Sequence, residues 1–204
     1  MSFNEKYIVS GAAGSGDSGY AYLFDRESGQ LLWKREVDSP LLDASISADG
    51  SKLVASTDWS LLFFDGKSGA NLWNHTGTAS LPTAGRVRMT PDGQYIVGGV
   101  WGGGSGKDIQ LFNSKGDLVW FYPSGTVYSV DISRDASGIV AATSSKLGNW
   151  QNSPSTVYFF EKQDNSIDDG NVLRGLSASP ILIVGGIALV GTVVGIIALI
   201  KFRR

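Results

Sequence analysis

The chain has 204 residues, a formal net charge of −2, 27 glycines, six tryptophans, one histidine and no cysteine. That glycine content is about twice ordinary usage and favours many tight turns over long helices. The missing cysteines exclude disulfide scaffolds, thiol catalysis and zinc–thiolate sites, the lone His75 excludes a pair of imidazole ligands, and a mildly acidic balance without a basic run excludes nucleic acid as a partner.

From the N-terminus, MSFNEKYIVSGAAG carries neither a charged lead nor an apolar core of signal-peptide length. Strands follow in a repeating text. LFDRESGQLLW (23–33), FFDGKSGANLW (63–73) and LFNSKGDLVW (111–120) each run an apolar strand into Asp or Asn, then a short turn, then a strand carrying Trp33, Trp73 or Trp120. Interleaved with these, SISADGSKLVAST (45–57), RMTPDGQYIVGGV (88–100) and DISRDASGIVAATS (131–144) place Asp49, Asp92 and Asp135 at a turn between alternating strands, 43 residues apart. A period of 40–47 residues with four short strands is the signature of a propeller blade. With strands labelled a to d within a blade, the chain reads b-c-d (7–35), two complete blades (41–75 and 85–122) and a-b-c (126–162), about 14 strands in all. The expected fold class is therefore all-β, about 3.5 propeller-type blades in an incomplete ring over 1–162.

Beyond the repeats, 163–179 is polar and glycine-containing and is expected to form a stalk. Ile181 to Ile200 carries no charge, and a helix over 180–200 would be about 30 Å long, the thickness of a bilayer core. Lys201, Phe202, Arg203 and Arg204 then form a basic tail, which the positive-inside rule places in the cytoplasm, with the N-terminal domain outside the cell. Gly191 and Gly195 fall on one face of that helix and suit a helix-dimer contact. An outside domain needs an export signal, so the expectation is that Met1 is not the true start; the rival is a tail-anchored protein with its domain in the cytosol.

The phrase LFDRESGQLLWK resembles the tryptophan-containing repeat of the pyrroloquinoline-quinone-type propellers, and SADGSKLVAST resembles the WD-repeat and surface-layer propellers. The resemblance covers about 7–162. It implies a scaffold or binding platform rather than one chemistry. Quinoprotein dehydrogenases of the same superfamily bind a quinone and calcium, but the cysteine pair and the run of acidic and amide ligands are missing from this sequence. The expectation is accordingly no enzyme and no cofactor.

Several motifs invite chemistry and yield none. Asp25, Asp65, Asn113 and Glu161 recur once per blade at the end of strand c, as expected of side chains that bond their own turns. Gly14, Gly16 and Gly19 match a dinucleotide fingerprint, yet the alternating strand YAYLFD follows where a helix N-terminus is needed. The cluster Gly102 to Gly106 lacks the spacing of a phosphate loop, and 164–170 lacks the bidentate Glu of a calcium loop.

The tryptophans separate into two groups. Trp33, Trp73 and Trp120 sit among apolar neighbours and are expected to pack between blades. Trp59, Trp101 and Trp150 stand in polar or glycine-rich text after strand b, in b–c loops that all emerge on one face together with the d–a loops. Those loops are expected to add Asp38, His75 and Tyr122. Three indoles on one rim point to a contact surface for a protein, a glycan or a flat surface ligand, the alternative being rings folded back over the blade tops. Asn74-His75-Thr76 is a glycosylation sequon in an expected surface loop. The rivals to a binding domain are a fragment of a quinone-dependent dehydrogenase and a structural cell-envelope component. A homo-oligomer would be a second way to complete the ring.

Overall fold

The structure is a computed structural model that describes residue 2 and residues 5–76, 84–102, 106–144, 155–162 and 176–183. It contains four antiparallel sheets in sequence order. The first has three strands, β1 (Tyr7–Ala13), β2 (Gly19–Asp25) and β3 (Leu31–Val37). The second is β4 (Leu41–Ile46), β5 (Lys52–Thr57), β6 (Ser60–Asp65) and β7 (Asn71–Thr76). The third is β8 (Ala84–Met89), β9 (Tyr95–Val100), β10 (Ile109–Asn113) and β11 (Leu118–Tyr122), and the fourth is β12 (Thr126–Ile132), β13 (Gly138–Ser144), β14 (Ser155–Lys162) and β15 (Leu176–Ile183). Each sheet is an up-and-down meander, as in a propeller blade.

The turns that set this meander are built from the repeated aspartates. In the a–b turns, the carboxylate of Asp49 accepts from the Ser47 hydroxyl at 2.8 Å and the Ser51 amide at 2.9 Å. Asp92 does the same with the Thr90 hydroxyl (2.6 Å) and the Gln94 amide (3.0 Å), and Asp135 with the Ser133 hydroxyl (2.7 Å) and the Ser137 amide (3.1 Å). The c–d turns use the other set. Asp25 accepts from the amide and hydroxyl of Ser28, Asp65 from those of Ser68, and Asn113 from the amides of Lys115 and Asp117. A side chain that satisfies its own turn's donors closes the hairpin and fixes strand register locally.

Burial follows strand position. β5 and β6 are buried on both faces because a blade lies on either side, so Leu53, Val54, Leu61, Phe63 and Phe64 are all within 2% of full burial. The outer strands β3 and β7 keep Leu31, Leu32 and Leu72 in solvent. Three apolar cores result, one per blade junction. Leu23, Trp33, Leu53 and Phe64 join the first two blades; Val54, Phe63, Ile96 and Phe112 join the second and third; Val97, Leu111, Ile139 and Phe160 join the third and fourth.

The last blade differs from its sequence-based expectation. Instead of ending at 162, it is completed by β15, paired with β14 from Ser155↔Ile183 to Lys162↔Leu176. The end of the expected stalk (176–179) and the start of the expected membrane helix (180–183) are therefore strand. The physical reason is that β14 would otherwise expose a row of unpaired backbone groups. Pro180 is compatible with this placement because β15 is the edge strand of the described sheet, where proline is tolerated. Among the described residues, no helix is long and apolar enough to cross a membrane. Residues 184–204, with Gly191, Gly195 and the basic tail, lie outside the described residues, as does most of the expected stalk.

Candidate functional site

The two groups of tryptophans have different surroundings. The Trp33 indole is 6% exposed and donates its Nε1–H to the Gly66 carbonyl of the next blade at 2.8 Å. Its ring lies flat over Gly69, whose φ is +67° and where a Cβ would stand 2.8 Å from the indole Cδ2. Trp73 repeats the arrangement one blade on, donating to the Ser114 carbonyl at 3.0 Å above Gly116. It also stacks on Phe63, with ring centroids 4.9 Å apart. Trp120 meets Phe160 of the fourth blade edge-on at 4.8 Å. These indoles bind blade to blade, as expected.

Trp59 and Trp101 sit in the β5–β6 and β9–β10 loops and are 47% and 40% exposed. Trp101 is held from two sides. Its ring meets Tyr128 edge-on at 5.2 Å, and the Arg86 guanidinium carbon lies 5.8 Å from its centre. Arg86 is itself oriented, donating from Nε to the Tyr128 carbonyl and from a terminal nitrogen to the Gly85 carbonyl, both at 3.1 Å. The Cβ that Gly85 lacks would stand 3.0 Å from the Trp101 Cβ. Leu42, Asp58, Gly85, Arg86 and Trp101 together line an open depression of about 240 Å³. Trp150 lies outside the described residues.

The loop edge is stiffened from below. Asp38, in the β3–β4 loop, accepts hydrogen bonds from the hydroxyls of Thr57 (2.8 Å) and Ser60, and the Ser39 hydroxyl accepts from the Asp58 amide at 3.0 Å. The d–a loop of one blade thus holds the b–c loop of the next, so both loops do emerge on one edge. Asp108 performs the converse task between the third and fourth blades. It is buried in the β9–β10 loop and accepts from the amides of Ser124 and Gly125, both at 2.9 Å.

His75, Asn74 and Tyr122 are not loop residues. His75 pairs with Leu61 and Asn74 with Leu62 within β7, because that strand continues to Thr76. The His75 imidazole lies 5.2 Å from Phe112, and burial followed by the charge of Lys107 holds its pKa below the ordinary value. Asn74 is exposed on the outer strand rather than in a turn. Tyr122 ends β11 and packs on Tyr158 and Phe160 at 5.2 and 5.0 Å, inside a blade junction. None of the three lines the depression beside Trp101. Sequence reasoning missed Arg86, and an arginine directly after a glycine in a strand (AGRVRM) was the available signal.

The repeated carboxylates are structural. Amide and hydroxyl bonds from Ser28, Ser51 and Ser68 hold Asp25, Asp49 and Asp65 below the usual carboxylate range. The Ser133 and Ser137 hydroxyls lower Asp135 to about 2. Such groups are poor proton donors near neutrality. Among the described residues, no three His, Cys, Asp or Glu side chains are grouped so that they could hold a metal ion.

A search of solved structures pairs the chain with hydrazine synthase of Kuenenia stuttgartiensis at 14% identity and a TM-score of 0.59, over 84% of this chain and 47% of that one. The chain thus spans about half the length of that protein, and the likeness concerns the fold alone. No match to a curated protein was found. A family model, PQQ_2, described as outer membrane protein assembly factor BamB, matches residues 2–173 and so takes in all four blades up to the start of the last strand. The chain belongs to that PQQ-type β-propeller family.

Proposed function

We propose that the protein is a membrane-anchored binding domain, displayed outside the cell, which recognises a protein or glycan partner through its b–c and d–a loops without catalysing a reaction. The observation that carries this reading is the exposed, braced indole of Trp101 beside an open depression of about 240 Å³, with the exposed Trp59 in the preceding blade's loop. Aromatic side chains held rigid before binding lose little entropy on contact, which makes them efficient anchors. The family description names an assembly factor, and a site built of aromatic anchors accords with it. Residues 184–200 are uncharged and precede Lys201, Arg203 and Arg204; their length falls at the short end of the ~17–25 residues that span a bilayer, with the tail inside.

Two measurements test the reading. Trp59→Ala and Trp101→Ala, singly and together, are expected to keep the unfolding free energy within about 1 kcal/mol and to lower retention of the full chain on its own cells' envelope proteins or envelope glycans, assayed separately. Unchanged retention on both fractions overturns the rim as the binding face. Protease added to intact cells should degrade 1–162 and spare the tail; full protection would overturn display outside the cell. Dye-linked alcohol or sugar oxidation after addition of quinone and calcium would instead support the dehydrogenase reading.

A further inference from the structure

We propose that the depression beside Trp101 recognises a sugar acid, one hexuronic acid ring of an acidic polysaccharide. This ligand class rests on the loop edge being the binding face. Two arginines stand two residues apart on β8 and are used differently. Arg88 uses its charge within the fold. Its guanidinium meets the Asp43 carboxylate of the second blade at 2.9 Å, and the same oxygen accepts from the Val87 amide at 3.1 Å. Arg86 does not. Its Nε and one terminal nitrogen donate to neutral acceptors, the Tyr128 and Gly85 carbonyls. Among the described residues its other terminal nitrogen has no hydrogen-bond partner, and the side chain forms no ion pair. A guanidinium that is oriented, half-buried and left unneutralised is a ready fork for a carboxylate.

Two further groups narrow the ligand. Asp58 lines the same depression, with its amide fixed by the buried Ser39 hydroxyl at 3.0 Å. Its carboxylate accepts no hydrogen bond among the described residues, so it calls for O–H or N–H donors. Trp101 supplies an exposed aromatic surface whose place is fixed by Tyr128 and by the close approach of Gly85. The face of an indole carries partial negative charge and favours the polarised C–H groups of a flat ring. A hexuronic acid brings all three complements on one ring: a carboxylate for Arg86, hydroxyls for Asp58 and a face of C–H bonds for Trp101. An acidic peptide side chain offers the carboxylate alone, and leaves Asp58 and the indole face to other residues.

Size points the same way. An open depression of about 240 Å³ is smaller than the ~300–1,000 Å³ pockets that enclose a whole small molecule. It suits one ring of a chain whose neighbouring rings lie outside. Trp59, which follows Asp58 in the same loop and is exposed, offers a second platform for such a neighbour.

The test titrates the full chain, in mild detergent, by calorimetry. The probes are oligomers of galacturonate, glucuronate and mannuronate, each beside its carboxyl-reduced neutral form, and a glutamate peptide of equal charge. At least one oligouronate is expected to bind about tenfold or more tightly than its reduced form and than the peptide. That binding should weaken as salt rises, while binding of the reduced form should not. Arg86→Gln should bring the ratio of carboxylated to reduced affinity close to one, and Arg86→Lys should keep part of it. Trp101→Ala should weaken both forms alike and leave the ratio in place, so that a displaced indole and a lost charge are told apart. Lys67→Gln, which removes an equal charge at the β6–β7 turn on the other edge, should change neither affinity. A ratio unmoved by Arg86→Gln overturns the assignment. So does a peptide that binds at least as tightly as every oligouronate, which would make the partner an acidic protein segment. If no oligouronate binds while Trp101→Ala still lowers retention on the envelope fractions, the ligand class falls and the binding face stands; if neither responds, both fall.

Discussion

Trp33 and Trp101 are the same residue in the same repeat architecture, and they lead opposite lives. Trp33 crosses a blade junction, lies over a glycine of the next blade and gives its only polar hydrogen to a carbonyl there. Trp101 stands at the loop edge against Tyr128 and Arg86, with 40% of its surface open to solvent. The junction indole pays for its burial with a satisfied N–H and a fitted surface. The loop indole is held still yet left uncovered. What separates them is the neighbour supplied by the next blade: a glycine turn that covers Trp33, and for Trp101 the edge of Tyr128, which leaves the indole 40% exposed.

The comparison breaks most visibly at Trp33. Trp33→Ala should cost about 3–5 kcal/mol in denaturant unfolding, since it empties a core and orphans the Gly66 carbonyl; a cost under about 1 kcal/mol would mean that the junction does not depend on its indole. The contribution of the glycine turn can be isolated next. Gly69→Ala and Gly29→Ala pay the same left-handed backbone penalty, about 1–2 kcal/mol, because their φ angles are +67° and +68°. Only Gly69 has an indole above it, so its substitution should cost about 1–3 kcal/mol more than that of Gly29. Equal costs would remove the docking argument.

The smallest effect is expected at the turns. Asp135 has its pKa lowered to about 2 in the fold, against an ordinary value of 3.8. A carboxylate with a depressed folded pKa contributes stability that is present above its unfolded pKa and is lost as the pH falls towards the folded one. Asp135→Asn should therefore make the loss of stability shallower between pH 3.8 and about 2, read as the denaturant midpoint against pH. Because Asp135 is solvent-exposed, the change should be small, and an unchanged slope would place the turn's stability in its backbone bonds alone.

Much of this fold was legible because its signals are local. The Ser/Thr-x-Asp turns close over three to five residues, and the apolar strands between them repeat with the blade period, so sheet count and strand order follow from short-range chemistry. The junction role of Trp33, Trp73 and Trp120 was legible for the same reason, since each follows a c–d turn at a fixed offset. The candidate site was legible only at its anchors. Trp59 and Trp101 announce themselves by their polar surroundings, but Arg86 reaches Trp101 through the β8–β9 pairing of its own blade, and Leu42 and Asp58 meet it only when blades two and three are side by side. His75 and Tyr122 lie at the ends of the expected blades (41–75 and 85–122) and were assigned to the loops beyond them, whereas both belong to strands, β7 paired with β6 and β11 paired with β10. A partner strand decides that.

The amino-acid sequence by itself thus determines the blades: composition rules out thiol and paired-histidine chemistry, turn residues set the hairpins, and the period sets the repeat. Tertiary structure decides what no single repeat contains. It decides that 176–183 pairs as a fourth strand, because an unpaired β14 edge leaves backbone bonds unmade. It also decides which apolar pairs are sealed and which are open. Val54–Phe63 and Val140–Phe159 have the same chemistry on adjacent strands; the third blade buries the first pair, whereas Val140 and Phe159 are 39% and 37% exposed.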